Sequence, residues 1–365
     1  MMAKGIGISC YPGLEHSESM LRLIGSAAKR GVKHVFISLH IPETDFKEVF
    51  AESKKLCKEA RANEMSITAD VSPRTLSFLG LKELDLGPFA ELGLTDVRMD
   101  FGFSIDDIVA ASSSYQLGIV LNASDVSNEW TKSLITQMKG AHRIWACHNF
   151  YPRCDSGLAW EYFLRRSKEL KELGLEIAAF VPSQMGRRPI MYEGLPTLER
   201  HRWMQPGQAA RELFATKVID YVYFGDSQPS DPELNEVLRA AQEECLEIRV
   251  ALSRPLTVIE VKLAFEQVHV QPLGGAYAHV IRSAAGRSHG ELPMVYPLAA
   301  SPRPKGTVTI DNINYGRYCG ELQITLEDLG ADPRVNVIGR IVPEDIHLID
   351  MARSGAAFRL KVAEN

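Results

Sequence analysis

The first 240 residues of the chain alternate short apolar runs with longer amphipathic segments. The run at 5–12, GIGISCYP, has the length and content of a buried strand, and 17–31 has helical periodicity with serine at its start and glycine at its end. This unit recurs along the chain. Further strand-like runs lie at 34–40, 66–73, 96–102, 118–124, 143–152, 176–183 and 219–227. Helical periodicity is found at 46–63, 128–139, 158–173, 208–217 and 231–241.

Eight strands in alternation with helices predict an α/β fold, a (β/α)8 barrel of the TIM type. A doubly wound open sheet is the alternative. Such sheets usually have fewer strands, and the first strand here is not followed by the G-x-G-x-x-G pattern of dinucleotide-binding folds. The barrel is therefore the favoured fold.

The pattern changes after residue 245, where short runs rich in valine and isoleucine are separated by glycine, proline and aspartate turns. These runs predict a small all-β domain. They lie at 245–253, 256–264, 279–284, 306–313, 321–329, 334–342 and 357–365. The predicted domains are thus a barrel at 1–244 and a β domain at 245–365.

Composition narrows the classes of partner. The chain has 365 residues, 45% of them hydrophobic, and a formal charge of −5, with no lysine- or arginine-rich run. We expect small molecules as partners, no nucleic acid and no membrane, and we consider a homodimer as the assembly. No apolar run reaches about 18 residues and no signal-peptide core is visible, which predicts a cytoplasmic protein. The six cysteines show no metal-like spacing and are expected to be reduced, and no cofactor is predicted.

Polar side chains end most of the predicted barrel strands. The chemistry of this fold is located at the C-terminal strand ends, so polar residues there are candidates for a site. Any one of them could simply close a turn, cap a helix or stop a strand. Together they indicate a polar mouth, because unpartnered polar groups inside a packed barrel would be costly. The residues are Ser9, Tyr11, Ser38, His40, Asp70, Ser72, Arg98, Asp100, Asn122, Ser124, His148, Asn149, Tyr151 and Asp226.

Alternation along the strands adds a direction to these side chains. Arg98 and Asp100 are two residues apart and point to one side of their strand, and Asn122 and Ser124 are paired in the same way.

The seventh strand is followed instead by a long connection at 183–207. This loop contains Arg187, Arg188 and Glu193 among other polar residues. Loops after the seventh and eighth strands are frequent phosphate sites of this fold, which favours an anionic substrate group here.

The candidate residues favour acid–base chemistry. No histidine or carboxylate spacing typical of a metal site occurs, and there is no G-x-S-x-G nucleophile motif. Carboxylates surrounded by arginine, histidine, asparagine and tyrosine can protonate a leaving oxygen and supply a base or nucleophile. A polyhydroxylated substrate is therefore predicted.

Six ordered motifs resemble one family over nearly the whole chain. They are GIGISCYPG at 5–13, DVSPR at 70–74, VRMDFGFS at 97–104, CHNFYPR at 147–153, EGLPTLERHR at 193–202 and DNINYGRYCGELQI at 311–324. They are similar to the bacterial DUF871 proteins, which include the 6-phospho-N-acetylmuramidases of the MupG type.

This resemblance implies a TIM barrel followed by a cyclophilin-like β domain. It also implies a cytoplasmic glycosidase that releases N-acetylmuramic acid 6-phosphate (MurNAc 6-phosphate) from N-acetylglucosamine (GlcNAc) in the recovery of cell-wall sugars. The substrate would be a phosphorylated amino-sugar disaccharide, whose phosphate and lactyl carboxylate suit Arg98, Arg187, Arg188 and Arg317.

From strand-end position and chemistry, we assign roles within that reaction. Asp100 and Glu193 are the predicted carboxyl pair, with Asp70 as the reserve. The remaining residues are predicted to bind substrate: Tyr11, Arg98, Asn122, His148, Asn149, Tyr151, Arg187, Asp226 and Arg317. Arg317 belongs to the second domain and is predicted to reach the substrate anion from a loop over the barrel mouth.

Two other classes of protein remain open. A phosphosugar lyase or isomerase would use His148 or Glu193 as base and would give a rearranged or unsaturated product. A non-catalytic sugar-phosphate binding protein would bind tightly without turnover.

Overall fold

A computed structural model describes residues 4–39, 44–81, 83–99, 102–112, 114–138, 143–271, 277–283, 285 and 293–363. The chain divides into two compact units, residues 1–242 and 243–365.

The first unit is a closed barrel of eight parallel strands in sequential order, which confirms the predicted fold. Each strand pairs with the next, and β1 closes the barrel against β8. The strands are β1 (Gly5–Cys10), β2 (His34–Ile37), β3 (Ser66–Val71), β4 (Asp96–Met99), β5 (Gly118–Asn122), β6 (Ile144–Cys147), β7 (Ile177–Val181) and β8 (Tyr221–Phe224).

Helices follow the strands and cover the barrel from outside. Their apolar faces pack on the outward-facing strand residues, such as Ile8, Val35 and Leu121, in one large buried cluster. The helices are α1 (Ser17–Lys29), α2 (Phe46–Ala62), α3 (Pro73–Phe78), α4 (Gly87–Leu92), α5 (Ile105–Ser112), α6 (Asn128–Met138), α7 (Trp160–Glu172), α8 (Pro206–Ala215) and α9 (Asp231–Gln242).

The alternate strand residues fill the interior of the barrel with large side chains. Phe36, Trp145, Phe180 and Tyr223 form a second buried cluster there, and Phe150 packs on it from the loop after β6. Phe150 meets Phe180 edge to face with ring centroids 5.1 Å apart. The interior is therefore a packed core beneath the C-terminal strand ends, and those ends form the mouth.

The second unit is a six-stranded mixed sheet in the order β10-β12-β11-β13-β9-β14. β14 runs parallel to β9, and the other pairings are antiparallel. Its elements are β9 (Leu246–Leu252), α10 (Val258–Phe265), β10 (Val280–Ser283), β11 (Thr307–Asp311), β12 (Leu322–Thr325), β13 (Val335–Ile341), α11 (Ile349–Arg353) and β14 (Phe358–Val362).

The strand predicted at 256–264 is wrong. Most of this run belongs to the helix α10, which spans Val258–Phe265. Thr257 caps the helix by accepting a hydrogen bond from the Glu260 backbone, and the Glu260 side chain accepts one from the Thr257 backbone at 2.9 Å. Arg254 then pairs with Glu260. The capping box outweighs the strand preference of the valine and isoleucine residues. Among the helices in the described ranges, none has the length and apolarity needed to cross a membrane.

Candidate functional site

Asp70 and Arg98 lie side by side at the barrel mouth. They are register partners at the ends of β3 and β4, and both alternate with the outward-facing residues of their strands. The Asp70 carboxylate accepts hydrogen bonds from the Ser38 hydroxyl at 3.0 Å and the Leu39 backbone N–H at 2.6 Å. These two donors hold the half-buried carboxylate in one orientation. Asp100, predicted two residues beyond Arg98, lies outside the described residues.

A chain of four side chains crosses the neighbouring strand ends. Arg98 donates to the amide oxygen of Asn149, and the Asn149 amide nitrogen donates to Asp125 at 3.2 Å. Asn122 donates to the same Asp125 oxygen at 2.7 Å. The network fixes which way each amide points, so it presents defined donors and acceptors to a polar ligand.

Asp125 is a functional candidate that the sequence interpretation missed. It lies three residues after Asn122 in the turn that follows β5, where it is exposed. The strand run predicted at 118–124 ends with Ser124, so Asp125 was not among the predicted strand-end residues. A cleft of about 310 Å³ opens beside Asn122 and Asp125, and most of its lining is apolar. Its other lining residues are Met99, Gly102, Phe103, Ile108, Leu121, Val126, Ser127 and Trp130.

His148 points away from the mouth. Its neighbour Cys147 belongs to the interior cluster, so alternation directs His148 outward, where its ring lies 4.7 Å from that of Phe163. Both ring nitrogens are hydrogen-bonded, Nδ1 with Ser124 Oγ at 3.3 Å and Nε2 with Ser167 Oγ at 3.0 Å. The side chain is fully buried with both nitrogens engaged, so this position does not fit the predicted contact with substrate.

His148 should make the fold sensitive to acid. Burial, together with Arg166 and Arg98, lowers the pKa of His148 to about 3, while an unfolded histidine titrates near pH 6.5. The contribution of neutral His148 to the free energy of unfolding is fully present above pH 6.5. It is lost as the pH falls from there towards 3, by up to about 1.4 kcal/mol per pH unit. In urea unfolding, the difference in the free energy of unfolding between wild type and His148→Gln should therefore be smaller at pH 5 than at pH 7.5. An equal gap at both values would contradict this prediction.

Arg188 lies over two aromatic rings at the mouth. Its guanidinium carbon is 4.7 Å from the Tyr11 ring centroid and 5.8 Å from that of Phe150. Tyr11 is fully buried, and its hydroxyl donates to the Gly225 carbonyl at 2.5 Å. The Tyr11 phenol is thus engaged within the protein, and burial raises its pKa far above the usual value. The Tyr11 ring, rather than its hydroxyl, is the part that contacts Arg188 at the mouth.

Asp226 organises the loop after β7. Its buried carboxylate accepts backbone hydrogen bonds from Ser183 at 2.9 Å, Arg188 at 2.8 Å and Leu195 at 3.2 Å. Burial raises the pKa of Asp226, and the three N–H donors oppose that rise. Asp226 has no exposed surface, so its position fits loop placement instead of the predicted direct contact with substrate.

Arg187 diverges from its neighbour Arg188. Its guanidinium lies 4.1 Å from the Trp203 ring and donates to the Gln184 side chain at 2.5 Å. It also lies 3.4 Å from the Tyr192 carbonyl. Arg187 therefore holds the loop together through contacts within it.

Glu193 lies on the same loop and faces the loop after β6. Its carboxylate accepts the Cys154 backbone N–H at 2.7 Å. That bond and the Cys154 thiol lower the pKa of Glu193. An ionised carboxylate suits a base or a nucleophile better than a proton donor, whose pKa should be raised.

A buried arginine joins the two loops. The fully buried Arg202 donates to both Glu199 oxygens at 2.6 Å, and also to the carbonyls of Tyr151 at 3.0 Å, Gly194 at 3.0 Å and Arg153 at 2.9 Å. The Arg202 hydrogen bonds lower the pKa of Glu199 to about 2. This ion pair sets the spacing of the loops that follow β6 and β7.

The two remaining predicted residues lie in different units. Tyr151 is half-buried, and burial raises the pKa of its phenol near Ser124 and Asp125. Arg317 is exposed on a short 3-10 helix of the second unit, with its guanidinium 5.0 Å from the Tyr318 ring. Its contact with the substrate anion stays a prediction.

The mouth thus combines Asp70, Arg98, Asn122, Asp125, Asn149 and Arg188 at the C-terminal strand ends of one barrel. In the described residues, no group of three or more potential ligands has the arrangement of a metal site. Oriented carboxylates, amides and cations can bind a sugar and exchange protons with it. The fold and the site therefore define a TIM barrel with a polar, charged mouth at its C-terminal strand ends, which is where enzymes of this fold have their active sites.

Comparison with known proteins gives the family. The model of the 6-phospho-N-acetylmuramidase N-terminal region matches residues 6–239, and that of the C-terminal region matches residues 246–361. The chain belongs to the 6-phospho-N-acetylmuramidase family, whose members are glycosidases. This confirms the family predicted from the six motifs.

Two solved structures are similar over nearly the full chain. An uncharacterized B. cereus protein has 29% identity and a TM-score of 0.81, with 99% of this chain and 100% of that chain covered. A conserved protein of unknown function from a locus in Enterococcus faecalis has 33% identity and a TM-score of 0.67, with 98% and 96% covered. No curated protein matches the chain.

Proposed function

We propose that the chain hydrolyses the glycosidic bond between MurNAc 6-phosphate and GlcNAc in the cytoplasm, as a step in the recovery of cell-wall sugars. The observation that carries this proposal is the oriented Asp70 carboxylate beside Arg98 at the open end of the barrel. Its two donors stabilise negative charge on a group that faces the mouth. Asp70 acts as the base or nucleophile.

Asp100 is the proton donor in this proposal. It lies two residues after Arg98 in the sequence, and the alternation of side chains along a strand predicts that it points towards the mouth. Glu193, on the loop after β7, is the alternative base or nucleophile, since the pKa of its carboxyl is lowered. Asn122, Asn149 and Asp125 orient the hydroxyl and acetamido groups of the sugar. The adjacent apolar cleft suits an uncharged part of the substrate, because Asp125 at its edge repels anions.

The lyase alternative is weakened by the position of His148. A base must reach the proton that it removes, and the His148 ring is buried on the outer side of β6. Glu193 is the remaining base for that reaction. A binding protein would use the same oriented groups, so turnover distinguishes that alternative from hydrolysis.

The experiment that tests the proposal is product analysis by mass spectrometry in water enriched in heavy oxygen, with 6-phosphorylated MurNAc-GlcNAc as substrate. Hydrolysis places one labelled oxygen on the released MurNAc 6-phosphate. An unsaturated or rearranged product without label would contradict hydrolysis, and tight binding with no product would favour a binding protein.

A further inference from the structure

We propose that Arg188, positioned by Asp226, is the residue that binds the substrate phosphate and sets the preference for phosphorylated sugars. This inference rests on the proposed function and names the residue responsible for its specificity. Two adjacent arginines of the loop after β7 point in different directions. Arg187 turns to Trp203 and Gln184, whereas Arg188 turns to the mouth above Tyr11 and Phe150.

The Arg188 guanidinium has unused hydrogen-bonding capacity. Its Nε atom is buried and has no hydrogen-bond partner among the residues that the structure describes. Within the same ranges, no carboxylate forms an ion pair with it. A buried donor left without a partner is costly, and a bound oxyanion would satisfy it. Guanidinium groups bind phosphate oxygens through paired N–H donors, which gives both affinity and orientation.

The surroundings of Arg188 strengthen its attraction for an anion. The rings of Tyr11 and Phe150 form an apolar floor, which excludes water beneath the guanidinium. Charges interact more strongly where water is excluded. The Tyr11 hydroxyl is fixed to the Gly225 carbonyl, so this floor is rigid.

Asp226 fixes the backbone position of Arg188. The Arg188 backbone N–H donates to Asp226 Oδ1, while Ser183 and Leu195 donate to Oδ2. One carboxylate thus fixes three points of the loop after β7, two of them on either side of Arg188. Asp226 is a positioning residue, because its oxygens are used within the protein.

The neighbouring loop contains another buried side-chain donor without a partner in the described residues. Gln228 follows β8, and its side-chain Nε2 atom is buried without a hydrogen-bond partner in the described part of the chain. The Gln228 backbone N–H donates to the Gly186 carbonyl at 3.3 Å, which joins this loop to the one that carries Arg188. The loops after the seventh and eighth strands are where barrels of this type commonly bind phosphate.

The test is calorimetric titration of the full chain with three sugars. MurNAc 6-phosphate carries a phosphate and a carboxylate, GlcNAc 6-phosphate carries only the phosphate, and MurNAc carries only the carboxylate. We expect Arg188→Leu to raise Kd for both 6-phosphates by about 10- to 100-fold. Binding of MurNAc should change by less than about threefold, which lies within ordinary surface effects.

The matched control is Arg165→Leu, because Arg165 also stacks on a tyrosine, Tyr162, with its guanidinium 5.6 Å from the ring. It lies on α7 outside the mouth, so binding of all three sugars should stay as in wild type. Unchanged 6-phosphate binding by Arg188→Leu would overturn the inference. A larger loss for MurNAc than for GlcNAc 6-phosphate would also overturn it, because it would make Arg188 the carboxylate contact.

Asp226→Asn tests the positioning role. We expect KM for the phosphorylated disaccharide to rise about 10-fold with kcat nearly unchanged, because the backbone N–H groups lose a charged acceptor and Arg188 shifts. Equal weakening of all three sugars in the titration would indicate a purely structural role and contradict positioning. If the wild type cleaves no substrate, hydrolysis fails as the proposed function, while the binding comparison still decides the role of Arg188.

Discussion

Replacing Asp70 by asparagine is expected to lower kcat/KM for the phosphorylated disaccharide by about 100- to 10,000-fold. Asparagine has nearly the same shape, and its amide can still hydrogen-bond with the Leu39 N–H and the Ser38 hydroxyl. It cannot accept a proton or attack as a carboxylate does. The fold should therefore persist while the reaction is lost, which steady-state kinetics and thermal unfolding would show together.

Asp107→Asn is the control for Asp70. The Asp107 carboxylate also accepts from a serine hydroxyl, Ser104 Oγ at 2.6 Å, and from a backbone N–H, that of Ser104 at 3.1 Å. It is exposed in the first turn of α5 and takes no part in the mouth. Activity should stay close to that of wild type. If both variants remain within about threefold of wild type, which is the range of ordinary surface substitutions, Asp70 is not the base or nucleophile.

Arg202→Met is expected to produce the largest loss of stability, about 3–5 kcal/mol in the free energy of unfolding. The substitution leaves Glu199 without its partner and removes donors from the carbonyls of Tyr151, Gly194 and Arg153. These groups connect the loops after β6 and β7, so activity should fall with stability. Urea unfolding monitored by tryptophan fluorescence measures the effect.

The control for this stability effect is Arg239→Met. Arg239 pairs with Glu236 at 2.9 Å and has the same three-residue spacing as Arg202 and Glu199, but 61% of its side chain is exposed. Such a surface pair contributes at most about 1 kcal/mol. Equal losses in the two variants would show that burial of Arg202 adds nothing.

Much of the barrel could be predicted because its strands are short apolar runs bounded by turn residues. All eight runs became strands, and the end of each run located the mouth. The run at 256–264 was predicted as a strand because it is rich in β-branched residues, which are common in strands. The Thr257 and Glu260 pair was the signal for a helix, since serine or threonine followed three residues later by an acidic residue begins many helices.

The direction of side chains was only partly predictable. Alternation assigns Arg98 inward, and the same rule assigns His148 outward once Cys147 is known to be interior. The sequence alone did not say which of His148 and Asn149 faced the barrel. Registers between strands decide such pairs, and the register that sets Asp70 beside Arg98 depends on closure of the whole barrel.

Contacts that involve the backbone could not be predicted. Three N–H groups far from Asp226 in the sequence meet at its carboxylate, and four carbonyls meet at Arg202. Their convergence depends on loop conformation, for which residue type gives no spacing rule. For the same reason, the different directions of Arg187 and Arg188 became visible only in the folded loop.

The measurement that most directly tests the account is kcat/KM of the wild-type chain for 6-phosphorylated MurNAc-GlcNAc and for the same disaccharide without the phosphate. A phosphate bound through one charge-assisted arginine contact predicts a preference of about 10- to 100-fold for the phosphorylated substrate. Equal values for the two substrates, or cleavage of the unphosphorylated form alone, would contradict a phosphate-specific glycosidase at this barrel mouth.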